Sequence, residues 1–242
     1  MVIETVKIPP NVRLRLEARK ATQDAWQHFV SWSLVKQAPR WVFRGQSQSM
    51  PLRPSIGRRE DYKPEIELLA FNEFKRHAVS HFDTSRLVDD WNWLALAQHH
   101  GLPTRLLDWT YNPLVAAHFA SQQSPRGKKA GVVYAMEVRE FGYQDELPDA
   151  VAGPFNIEKD LFLRTPTHIP RLKMQKGIFS VHSEPNKPFA SKRVTKFEIN
   201  AENKIGFQRL LYNVGVDAGF LMADLDGLCS TLKWRLNQGF LA

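Results

Sequence analysis

The sequence predicts an α+β protein built as a single domain. Three observations point there. Short apolar runs with strand and helix periods follow one another without a strict β–α alternation. The 242 residues, 43% of them apolar, hold no long Gly/Ser or Pro-rich linker and no fixed-period repeat. Neither GxGxxG nor GxxxxGK[ST] occurs, so a Rossmann or P-loop reading has no support.

The elements follow in order. "VIETVKI" (Val2 to Ile8) alternates as a first strand, closed by Pro9 and Pro10. Thr22 to Gln37 reads as an amphipathic helix carrying Ala25, Phe29, Trp32 and Val35, broken by "APR". Trp41 to Arg44 is a strand that runs into the polar loop "GQSQSMPLRPS". Pro64 to Ser80 is helical, with Ile66, Leu69, Ala70, Phe74 and Val79 as its apolar members. Asp90 caps a helix from Trp91 to about His100, which Gly101 ends in a left-handed conformation. "LPTRLLDWT" is a connection, and Asn112 or Thr110 caps the helix "PLVAAHFASQQ" with Pro113 at its first position.

After the turn "PRGKKAG", "VVYAMEV" is the most strand-like stretch of the chain. The pattern weakens from Gly142 to Pro170, where one short helix is expected near Glu158 to Leu163. "KGIFSVH" and "RVTKFEI" are strands joined by the polar turn "SEPNKP". Glu202 to Val214 is a short helix, and a last helix after Asp224 carries Leu225, Leu228, Leu232 and Leu236.

Composition narrows the classes. No apolar run approaches the ~20 residues that span a bilayer, and "MVIETVKIPPNVRLRLEARK" lacks a signal-peptide core, so a cytoplasmic protein without a membrane partner is expected. Cys229 is the single cysteine, which excludes an intramolecular disulfide and a thiolate zinc cage. The formal net charge is +8, from 33 Lys and Arg against 25 Asp and Glu. That balance attracts phosphates, and the open alternatives are a nucleotide or nucleic-acid partner and a plain solvated surface.

Three stretches could carry chemistry. In "WVFRGQ", Arg44 interrupts an apolar strand; either it faces solvent at an edge or pairs structurally with Asp108 or Asp226, or it reaches into a cleft to hold an anion. In "QHHGLPTRLLDWTYNP", His99, Thr104, Arg105, Asp108, Trp109 and Thr110 crowd together, a mixture costly to bury without partners. One account pairs Asp108 with Arg105 and leaves Thr110 as a cap; the other makes these groups a cleft floor. A metal site from His99, His100 and Asp108 is disfavoured, because adjacent helical residues point roughly 100° apart, and no metal is expected. In "RLKMQKGIFSVH", Gln175 precedes a strand among Arg171, Lys173 and Lys176. Ser180 and His182 share a strand face and form a weak nucleophile–base pair, with no G-x-S-x-G elbow.

"FRG" at Phe43 to Gly45, "QHHGLPTRLLDWTYNPLVAAHFA", "RLKMQKGIFSVH" and "ADLDGL" at Ala223 to Leu228 resemble the FRG domain family, across about residues 40–234 of a single domain 1–242. A weaker resemblance is to ADP-ribosyltransferases of the arginine–serine–glutamate type. It implies a central mixed, split β-sheet flanked by helices, and NAD as substrate. Carried over by position, Arg44 stands for the arginine that holds NAD, Thr110 for the Ser/Thr motif, and Gln175 for the late glutamate. Glutamine offers no negative charge, so Asp108, or else Glu184, would supply the acid. Gly45, Gln46, His99, Thr104, Arg105 and Trp109 complete the expected NAD-binding set.

The expected function is an NAD-dependent ADP-ribosyltransferase-like enzyme with a DNA or RNA acceptor. The resemblance implies toxin or phage-defence settings for some relatives. The alternatives are a non-catalytic nucleotide or nucleic-acid binding module, and a hydrolase using His99 and Asp108.

Overall fold

A computed structural model describes residues 9–81, 83–85, 87–147, 153–164, 170–189, 191 and 193–240. Its centre is one six-stranded sheet in the order β4-β5-β2-β1-β3-β6. The strands are β1 (Trp41–Gln46), β2 (Leu106–Thr110), β3 (Gly131–Glu137), β4 (Leu161–Leu163), β5 (Gly177–Val181) and β6 (Thr195–Ile199). Every pairing between these strands is antiparallel, which corrects the expected mixed sheet.

Pairing is uneven along β1. Its six residues all match residues of β3, from Trp41 with Glu137 to Gln46 with Val132. On the other side it meets β2 at one pair, Phe43 with Thr110. The sheet therefore opens between β1 and β2 beyond that pair.

The helices are α1 (Pro10–Leu34), α2 (Pro64–Ala78), α3 (Asp90–His99), α4 (Pro113–Ser121), α5 (Pro170–Met174), α6 (Lys204–Asn213), α7 (Ala218–Met222) and α8 (Leu225–Gln238). α4 starts as its residues dictate: the Asn112 side chain accepts from the Leu114 amide, and Pro113 occupies the first turn. This helix crosses β1 so closely that a Cβ on Gly45 would lie 1.9 Å from the Ala116 carbonyl oxygen. Phe29, Phe43, Val115, Ala116, Ala120, Val133 and Phe207 fill the core on that side. The opposite face of β1 packs Val42 with Leu107, Trp109, Met136, Phe162 and Ile178.

Several expectations are corrected. The strand at Val2 to Ile8 lies outside the described residues. The helix expected from Thr22 begins at Pro10 and ends at Leu34, leaving Val35 exposed. Apolar periodicity misses its first half because residues 11–20 are exposed. α2 buries Glu67, Phe71 and Ala78, while Leu69 and Val79 are exposed; an ion pair between Glu67 and Arg105 fixes that face. Asp89, not Asp90, caps α3 by accepting from the Asn92 amide. The expected connection from Leu102 to Thr110 contains β2, whose polar Arg105 and Asp108 flank and interrupt an apolar alternation. The helix expected near Glu158 to Leu163 is instead β4, three buried residues beside β5.

Candidate functional site

Where β1 and β2 part, a cleft of about 190 Å³ opens, lined by Phe43, Arg44, Gly45, Asp108, Trp109, Thr110, Val115, Ala116, Phe119, Arg171 and Gln175. Strand and helix ends from four distant parts of the sequence thus meet at one place. Arg44 sits at its centre with a side chain only 14% exposed. Its Nη1 donates to the Asp108 main-chain oxygen at 2.6 Å and lies 3.4 Å from Asp108 Oδ2. The guanidinium bridges the opening between the two strands, where backbone pairing has stopped.

Among the described residues, four buried side-chain nitrogens make no hydrogen bond: Arg44 Nε, Gln46 Nε2, Arg53 Nε and Arg235 Nε. A buried N–H of this kind costs free energy unless an acceptor meets it. Nearby, Arg58 has its pKa lowered, first by burial and then by repulsion from Arg44 and Arg53, with Asp108 pulling the other way. Positive charge is therefore concentrated around the one carboxylate. Asp108 is 56% exposed and accepts from Gln98 Nε2 at 3.2 Å as well as from Arg44.

Thr110 locks the opposite wall. Its hydroxyl donates to the Gln175 main-chain oxygen at 2.5 Å and accepts from the Asn112 amide at 3.0 Å. Gln175 follows α5, and its side-chain amide donates to the Leu221 carbonyl of α7 at 3.2 Å. The strand register continues the tie, since Thr110 lies opposite Gly177 of β5.

Among the expected site residues, Arg44, Gly45, Asp108, Trp109, Thr110 and Gln175 come together here. Four others do not line the cleft. Gln46 turns its amide oxygen to the Met50 amide. Thr104 is buried, donating to Gln98 Oε1 at 2.6 Å. His99 is half-buried beside His100, and its pKa is lowered by burial, then by His100 and Arg171, against Asp224.

Arg105, the fourth, does not pair with Asp108. It is buried against Glu67, donating through Nε at 3.1 Å and Nη2 at 2.7 Å, with Nη1 on the Pro154 carbonyl. Glu184, the reserve acid, pairs instead with Lys187 in an exposed turn.

Ser180 and His182 belong to a longer array. Ser180 Oγ lies 2.9 Å from His182 Nε2, and His182 Nδ1 lies 3.2 Å from Asp160 Oδ2. The same Ser180 oxygen accepts from Trp109 Nε1 at 2.9 Å. Both Ser180 and His182 are 1% exposed, so the array holds the Trp109 wall in place and presents no nucleophile to the cleft. Asp160 is distant from these partners in sequence and carried no local signal.

Arg171 and the apolar wall of Val115 and Phe119 were missed as cleft residues. Arg171 had only its place beside Gln175 to mark it, and the α4 residues read as ordinary core. Among the described residues, no group of three His, Cys, Asp or Glu is arranged to hold a metal ion, and no helix is long and apolar enough to cross a membrane.

No curated protein and no solved structure matches the chain. The FRG domain model matches residues 39–129, the stretch that contributes Arg44, Asp108, Thr110 and α4 to the cleft, and over those residues the chain is similar to that family.

Proposed function

We propose that the cleft binds NAD and cleaves its nicotinamide–ribose bond, transferring ADP-ribose to an acceptor, DNA or RNA in the first instance. One observation carries the reading: the Arg44 guanidinium lines a cleft that also holds a partly exposed carboxylate, Asp108. The first group suits a phosphate or ribose oxygen, the second a developing cation.

As nicotinamide departs with the electron pair of the broken bond, positive charge builds on the ribose carbon, as in glycoside cleavage. Asp108 stabilises that charge, and the acceptor's nucleophile then bonds to the carbon and loses its proton to solvent. Gln175 takes the place of a late glutamate only in position, because its amide is tied to the Leu221 carbonyl. At about 190 Å³ the cleft is smaller than the ~300–1,000 Å³ of whole-ligand sites. It accommodates one end of NAD, with Arg53 and Arg58 meeting the remaining phosphate charge.

The test is release of nicotinamide from NAD, with protein, DNA and RNA offered as acceptors. Arg44→Ala abolishes it, and Asp108→Asn lowers the rate by about 10²–10³, the usual effect of removing one preorganised charge-stabilising group. Absence of release by the parent protein with every acceptor, together with absence of ADP-ribose binding in calorimetry, overturns the reading. ADP-ribose binding without release establishes the second reading, a nucleotide-binding module. That alternative is favoured by the engagement of Asp108 with both Arg44 and Gln98.

A further inference from the structure

A second concavity of about 730 Å³ lies between α1, α6 and the chain's C-terminal turn. Its residues are distinct from those of the cleft, and it stands independently of the NAD reading. Gly206 on α6 creates it: a Cβ there would lie 2.2 Å from Thr22 Cγ2, so α1 and α6 touch at that point. The Thr22 hydroxyl adds a hydrogen bond to the Asn203 side chain at 3.1 Å. Beyond the contact, the exposed amino-terminal turns of α1 form one wall.

That wall is cationic. Arg15 and Arg19 are four residues apart on α1 and so project from the same side of the helix. Neither has a hydrogen-bond or ion-pair partner among the described residues, in contrast to Arg13, which pairs with Glu17. The facing wall carries Arg209, held by Gln238 Oε1 through Nε at 3.2 Å and Nη2 at 2.8 Å, with its guanidinium 5.6 Å from the Phe240 ring centre. Phe240 is itself 41% exposed and lines the same groove. Glu202 is the one acid among the lining residues.

We infer that this groove binds single-stranded nucleic acid. Three arginines on two walls match the repeating charge of a phosphodiester backbone, the exposed part of the Phe240 ring, held against Tyr212 and Arg209, extends an aromatic surface toward a base, and Gln23 and Asn213 supply neutral hydrogen-bonding groups between them. This is the combination of charge and ring that sequence-tolerant single-strand sites use. Arg209 is pre-set by Gln238 and Phe240, whereas Arg15 and Arg19 keep all their donors for the ligand.

The experiment is fluorescence anisotropy of a labelled single-stranded oligonucleotide of ~12 nucleotides, within the range of one such site, titrated with the full chain at several salt concentrations. The double variant Arg15→Gln/Arg19→Gln weakens binding about tenfold and reduces the slope of log K against log salt by about 1.4, at ~0.7 for each phosphate no longer neutralised. Because both side chains lack partners, its unfolding midpoint stays that of the parent protein. Lys128→Gln/Lys129→Gln removes the same charge from an exposed turn and leaves binding unchanged. Absence of binding by the parent protein overturns the inference. An equal loss in the Lys128/Lys129 variant, or an equal arginine dependence for anionic lipid vesicles, overturns it too.

Discussion

Strand β2 has an arginine just before it and another leaning on its middle, and the two are treated in opposite ways. Arg105 is 3% exposed, and all of its hydrogen-bonding ends are met, by both carboxylate oxygens of Glu67 and by the Pro154 carbonyl. Arg44 lies across the open seam, bound to a main-chain oxygen and loosely to Asp108, with its Nε buried and unmet. Arg105 has every donor nitrogen matched inside the fold, whereas Arg44 leaves one buried donor unmet, as Arg53 and Arg235 also do.

The largest effect tests the structural arginine. Arg105→Ala strands the Glu67 carboxylate in the core and lowers stability by about 3–5 kcal/mol in urea unfolding. Replacing both groups, Glu67→Leu with Arg105→Met, recovers most of that loss, because neither charge is then left alone. A double variant as unstable as the single one breaks the argument that matched pairing is what matters there.

A middle effect tests the wall between them. Ser180→Ala removes the acceptor for Trp109 Nε1 and the hydrogen-bond partner of His182 Nε2, and costs about 1–3 kcal/mol through buried groups left unsatisfied. An unchanged unfolding midpoint would show that Trp109 is held by packing alone. The smallest stability effect belongs to Arg44. Because its carboxylate partner is half in solvent, Arg44→Ala changes stability by no more than about 1 kcal/mol, while nicotinamide release disappears. A loss as large as that of Arg105→Ala would remove the distinction on which the comparison stands.

The same contrast explains what could be read from the residues alone. β1, β3, β5 and β6 were legible because their apolar positions stand in short runs bounded by turn residues. α4 was legible because Asn112 and Pro113 announce its start by local chemistry. β2 was not, since the polar Arg105 and Asp108 break its pattern, and their partners, Glu67 and Arg44, lie far away in sequence. For the same reason α2 turns Glu67 inward where periodicity favoured Leu69.

The cleft was legible in its parts: Arg44 stood out as a charge in an apolar strand, and Asp108 to Thr110 as a dense polar run. Their convergence with Gln175 rested on resemblance. The exclusion of His99, Thr104 and Arg105 from the lining depends on which way each side chain leaves its backbone, which spacing does not encode.

The order of the strands also limits how the chain can be cut. Residues 39–129 contain β1 and β2 but neither β3 nor β5, which flank them in the sheet. Excised, the two strands would share the single Phe43–Thr110 pairing, with bare edges on both outer sides. The recognisable segment is thus a signature embedded in a larger folding unit, and an expression fragment trimmed to it would lose the scaffold that brings Arg44 and Asp108 face to face.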